Sequence, residues 1–286
     1  MKQFFYIPFF YLIHSRLKSK FELISWQIIF FIPVLIITYF YLETRSNIFI
    51  HLFLLSQLIF YSIYEIGYIE NDILTTKKEK YPTIRLNSIN TRYLKKNYYK
   101  IVFSKYLIFI FSFLLLMWID LWVEYVLNIE LFLIQIILTR FIFYIHNNVR
   151  NRLTIITFFL LSILKYTFPI ILFIDISKIH FALILAVISF PILRTIEIFL
   201  LKRFNFKIIG KIIKDIDKFR VVYYLIIFLS FNITYLFKFI NFEEFYLALT
   251  IILYFLIFRI ISFILIKGNI YNRDKKVKNK FQNKFR

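Results

Sequence analysis

The chain has 286 residues, 60% of them hydrophobic and 22% aromatic, with a mean hydropathy of +0.72 and a formal net charge of +21. A water-soluble domain of this length cannot hide so much apolar surface, because about 55–60% of a folded surface is already apolar when the core is filled. Composition therefore excludes a soluble enzyme and selects the membrane class, and the absence of cysteine removes disulfides, thiol nucleophiles and thiolate metal sites.

Residues 1–22 join the apolar run FFYIPFFYLI to Arg16, Lys18 and Lys20 without a small-residue cleavage site. They read as an amphipathic, interfacial segment rather than a cleavable signal. Eight continuous apolar runs follow, near 23–43, 48–69, 101–122, 126–147, 153–174, 179–201, 220–239 and 244–266. Each is long enough to cross a ~30 Å hydrocarbon core as a helix, and none alternates as a barrel strand does. The predicted fold is an all-α polytopic membrane helix bundle over 23–266, with a basic, disordered tail at 267–286.

Lys and Arg divide unevenly between alternate connections. The set containing both termini holds 29, and the other set holds Arg45, Lys178 and Lys238. The positive-inside rule then puts both termini and the long loops near 70–100 and 202–219 on the cytoplasmic side of an inner or plasma membrane. The positive charge reads as topology-setting contact with anionic membrane lipid, not as a nucleic-acid surface. The two long loops follow the second and sixth spans, the spacing that two four-helix repeats around a cytoplasm-facing cavity would produce.

Ionisable residues inside spans cost at least ~2.5–3.5 kcal/mol each near the bilayer centre, so each needs a reason. The second span ends with Glu65, Tyr68 and Asp72 at i, i+3 and i+7 on one face, followed by Asn71, Thr75, Glu79 and Arg85. The fourth carries Arg140, Tyr144, His146 and Asn147, with Arg150 just beyond; the fifth carries Lys165; the sixth carries Arg194 and Glu197, with Lys202 after it. A cavity lined by carboxylates, amides and arginines suits polyanion binding. Glu65, Asn71, Asp72, Glu79 and Glu197 are candidate Mg²⁺ ligands. Arg85, Arg140, Tyr144, His146, Asn147, Arg150, Lys165, Arg194 and Lys202 are candidate substrate-binding groups for phosphates. The competing reading makes Arg194–Glu197 and Arg140 structural ion pairs.

Asn71-Asp72-x-x-Thr75-x-x-x-Glu79, with Pro82, Thr83 and Arg85 after it, resembles the NDxxDxxxD motif of the UbiA superfamily of membrane prenyltransferases, nearest its polyprenyl-phosphate phosphoribosyltransferase branch. The resemblance implies a Mg²⁺-dependent transferase acting on a polyprenyl phosphate or diphosphate lipid, with Asp72 and Glu79 as catalytic acidic residues. Asn71 and Asp72 would then hold the metal and diphosphate, and Arg85 would hold phosphate. Thr75 stands where the motif has its middle Asp, and the region after the sixth span is basic rather than Asp-rich. That bias favours a phosphorylated cytoplasmic co-substrate such as phosphoribosyl diphosphate, in a pathway of cell-surface glycan synthesis. The alternative reading is a non-enzymatic transporter or flippase of a polyprenyl-linked lipid.

Overall fold

A helix with no turn-by-turn polar stripe buries its side chains either in other helices or in lipid, and both outcomes occur here. The computed structural model describes residues 2–42, 48–75, 84–122, 127–149, 151–200, 204 and 206–268. Among them there is no strand, and eight helices are long and apolar enough to cross a membrane. The protein is an all-α, multi-pass membrane helix bundle. A short 3₁₀ turn, Lys2–Tyr6, precedes α1 (Phe10–Ser15). Then come α2 (Lys20–Phe40), α3 (Ile48–Thr75), α4 (Ser88–Lys96), α5 (Tyr98–Asp120), α6 (Ile129–Asn148), α7 (Leu153–Phe173) and α8 (Ile179–Phe199). The series ends with α9 (Lys207–Ile212), α10 (Ile216–Leu236) and α11 (Phe242–Lys267).

The helices fall into two compact units, Met1–Phe204 and Asn205–Arg286. The first holds six spans and the second two, so the packing does not group them four and four. In the first unit α3 is the central helix. It packs against α5, α6 and α7 and is buried along most of its length. Its aromatic face makes the core: Phe60 stacks on Phe168 at 4.0 Å, Tyr64 meets Phe143 edge-on at 4.7 Å, and Phe49 meets Phe173 at 5.2 Å. Such ring pairs add a preferred geometry to the area they bury. In the second unit α10 and α11 form a hairpin, stacked through Tyr235–Phe245 and Tyr224–Phe255 and opened by the Asn241–Glu244 capping box.

The outer surface is the surface of a lipid-facing protein. On α5, Phe103, Leu107, Ile110, Phe111, Leu114 and Trp118 form a continuous exposed stripe at helical spacing. An apolar stripe of that length is unstable in water and neutral in hydrocarbon. Trp118 and Trp122 sit at its end, 6.4 Å apart, where interfacial aromatics anchor a span.

The N-terminal segment departs from the sequence expectation. Instead of lying apart as an interfacial helix, it is folded into the first unit: Phe5, Tyr11 and Leu12 are buried, while Phe4 and Ile7 stay exposed. The reason is polar. Glu65 and Asp72 on α3 present unmet acceptors, and this segment brings the donors. Phe9 takes a φ of 70°, rare for a residue with a Cβ, and is held there with its ring 4.8 Å from Tyr61.

Candidate functional site

Glu65, Tyr68 and Asp72 do line one face of α3, and residues 11–16 cover that face. Leu12 donates its backbone N–H to Glu65 Oε1 at 2.7 Å, and the Arg16 guanidinium lies 3.6 Å over the Tyr68 ring. Asp72 Oδ2 accepts from the Tyr11 hydroxyl at 2.6 Å and from Arg16 at 2.8 Å, while Oδ1 accepts from Arg85 at 2.9 Å. Burial and the Asp72 carboxylate together push the Tyr11 phenol well above its ordinary pKa, so it stays a donor at every physiological pH. For Arg16, burial opposes the charge, but Asp72 beside it more than compensates and its pKa rises. Replacing Tyr11 with Phe keeps the ring packing and removes one bond to Asp72. Unfolding in detergent should then show a loss of about 1 kcal/mol.

Asp72 and Arg85, singled out from the sequence, meet at the floor of a cleft of about 500 Å³ that is also lined by Ser88, Thr91, Arg92 and Lys95 of α4. Around Asp72 the end of α3 winds in π geometry over Asn71–Thr75, a distortion that recurs at functional sites. Asn71 Oδ1 accepts from the Thr75 hydroxyl at 2.7 Å, so the Thr in place of the motif's middle Asp closes a local bond rather than adding a charge.

The remaining candidates do not converge on this cleft. Glu65 is fully buried against Lys105 at 2.6 Å, and Lys105 is equally buried. Arg140 makes a two-pronged pair with Glu70 at 2.8 and 2.5 Å, and Tyr98 donates to the same carboxylate at 2.8 Å. Arg194 and Glu197 pair within α8. The structural reading of Arg140 and of Arg194–Glu197 thus has its partners in place. Asn147 donates to the Gly67 carbonyl at 3.1 Å, and His146 Nδ1 lies 2.8 Å from the Thr157 hydroxyl. Tyr144 was expected beside Arg140 and Asn147, but it falls on the exposed stripe with Ile137 and Phe141. At about 100° per residue Tyr144 and Asn147 lie on opposite sides of Arg140, which stands at the edge between the buried and exposed faces. Glu79, Arg150 and Lys202 lie outside the described residues.

The described members of this donor set, as arranged, do not fit Mg²⁺. Asp72 and Glu65 each have both oxygens taken by donors, three of them cationic, and Asn71 and Glu197 also hold internal partners. Among the described residues no group of three or more His, Asp or Glu is placed to hold a metal ion.

Lys165 lacks the carboxylate that Lys105, Arg140 and Arg194 each have. Its Nζ lies 4.5 Å from the Phe30 ring and 5.8 Å from the Trp26 ring, with no carboxylate partner among the described residues. Cation–π contact offsets about 2 kcal/mol when desolvated, less than the cost of the charge itself. Among the described residues, Trp26 Nε1, the Tyr61 hydroxyl and both amide atoms of Gln57 are buried without a hydrogen-bond partner, each costing about 1–3 kcal/mol. Sequence reasoning found Lys165 by its charge but missed Trp26 and Tyr61, which are indistinguishable from the other aromatics until their polar atoms are seen unmatched. It also missed Tyr11, Arg16, Glu70 and Lys105 as partners, because pairing across 40 to 70 positions leaves no local pattern. Comparison with protein-family models, with curated proteins and with solved structures finds no match for this chain.

Proposed function

We propose that this protein is a membrane transferase acting on a polyprenyl phosphate or diphosphate, with a phosphorylated water-soluble co-substrate entering the Asp72–Arg85 cleft from the cytoplasm. The observation that carries the reading is that two motif residues thirteen positions apart meet at 2.9 Å in a cleft whose other charged groups, Arg92 and Lys95, are cations. Guanidinium and ammonium donors around one carboxylate suit a phosphate-bearing molecule that exchanges with that carboxylate for the arginines. The cytoplasmic orientation follows from the lysine and arginine distribution. Transfer of phosphoribose from phosphoribosyl diphosphate to polyprenyl phosphate, for glycan synthesis, is the specific version suggested by the motif resemblance.

One observation favours the carrier or flippase reading instead: the described carboxylates of the first unit's charged core, Glu65, Glu70, Asp72 and Glu197, all have cationic partners. A single assay separates the two. Purified protein receives polyprenyl phosphate, radiolabelled phosphoribosyl diphosphate and magnesium. The transferase reading expects label in the organic phase and its loss in Asp72→Asn. Arg85→Ala should raise the KM for the labelled donor about 10- to 100-fold, the loss of one bond to a charged group. No label in the wild type, with polyprenyl phosphate still crossing proteoliposome leaflets, would assign the carrier role.

A further inference from the structure

The unmatched groups around Lys165 form a site of their own. Lys165 stands about 18 Å along α7 from Leu153, well inside the span. The charged groups that bear on it, Arg16 and Arg194, are both cations. On one side are Trp26 and Tyr61, their rings 5.9 Å apart and their N–H and O–H donors idle. Tyr61 is fully buried. The helix that carries Trp26 turns to π geometry at the next residue, over Gln27–Phe31, and Pro169 has no N–H to give to the Lys165 carbonyl. A buried lysine with no carboxylate partner among the described residues, beside two unmatched donors, is complementary to one class of ligand, an anion rich in acceptor oxygens.

We propose that Lys165, Trp26 Nε1 and the Tyr61 hydroxyl bind the phosphate group of a lipid-borne phosphate, with Arg16 and Arg194 supplying further positive charge. Arg16 is also bonded to Asp72, so this headgroup site adjoins the cleft that takes the water-soluble partner. The depth in the bundle and the aromatic walls suit a headgroup whose tail stays among the spans. The inference rests on the proposed function only for the isoprenoid nature of that tail.

The test is binding, not turnover. In full-length protein carrying Trp118→Phe and Trp122→Phe, Trp26 is the one remaining tryptophan and reports directly on the site. Geranylgeranyl phosphate should quench it saturably, and geranylgeraniol should not. Lys165→Met should weaken binding about 10- to 100-fold, and Tyr61→Phe several-fold. Because the methionine removes a buried charge that lacks a counter-ion, Lys165→Met should also raise Tm in the absence of ligand. Unchanged affinity in a folded Lys165→Met protein, or a lowered Tm, overturns the site and makes the lysine structural. If phosphatidic acid binds with the same Lys165 dependence and the prenyl phosphate does not, the site stands and the isoprenoid reading fails. Saturation by inorganic pyrophosphate with no response to either lipid overturns the lipid-borne assignment. Lysine-dependent prenyl phosphate binding alongside a failed transfer assay supports the site and sinks only the transferase.

Discussion

Lys105→Met destabilises the first unit by about 3–5 kcal/mol, the cost of stranding one member of a buried ion pair. Lys105 and Glu65 are both fully buried, 2.6 Å apart, and Lys105 Nζ also reaches the Ile7 carbonyl at 3.4 Å. Removing the ammonium leaves the Glu65 carboxylate bonded to the Leu12 N–H but without a counter-ion, in a region where neither water nor lipid can solvate it. Adding Glu65→Gln to Lys105→Met should recover most of the loss. Glutamine keeps an acceptor for Leu12 and carries no charge, and uncharged replacements of buried pairs are often neutral or stabilising. The measurement is equilibrium unfolding of the three proteins in detergent. A double mutant no better than Lys105→Met would show that the lysine acts through packing rather than through its charge. Since Leu12 and Ile7 both belong to the N-terminal segment, the single mutant should also expose residues 1–18 to protease before the spans unfold.

Gly67→Ala is the second large effect. A Cβ at Gly67 would come within 2.2 Å of Phe143 Cγ and 2.4 Å of Cδ1. These are atoms at the root of a buried ring, not the end of a flexible chain. Alanine in place of helical glycine is intrinsically worth about 0.5–1 kcal/mol, but overpacking at such contact costs about 1–3 kcal/mol or more, so the clash wins. Separating α3 from α6 also stretches the bond from Asn147 to the Gly67 carbonyl. Phe143→Leu should relieve Gly67→Ala while destabilising the wild type. Additive effects in that double-mutant cycle would mean the two positions are not coupled, contrary to the contact.

Both predictions concern groups that seal the charged end of α3, and this bears on function. The Asp72 cluster is assembled from three separate pieces of chain: Tyr11 and Arg16, Asp72 itself, and Arg85. Ligand entry that displaces Arg85 or Arg16 from Asp72 would loosen the N-terminal segment, while the Glu65–Lys105 pair keeps it attached.

The membrane class, the helical fold and the positions of all eight spans were legible in the sequence. A helix must cross about 30 Å of hydrocarbon with its backbone bonded internally, and that demand writes itself into length and composition alone. The runs read at 48–69 and 153–174 became Ile48–Thr75, where polar residues continue the winding past the apolar stretch, and Leu153–Phe173, which ends one residue earlier. The common face of Glu65, Tyr68 and Asp72 was legible for the same reason, since helical spacing is local. What covers that face was decided by tertiary structure. Arg16 looks like a topology-setting cation in sequence and Lys105 like one that snorkels or pairs, and only the approach of distant helices makes them the counter-ions of Asp72 and Glu65. The same holds in reverse for Lys165: its charge is visible in the sequence, but that no carboxylate among the described residues comes to meet it depends on where every other helix goes.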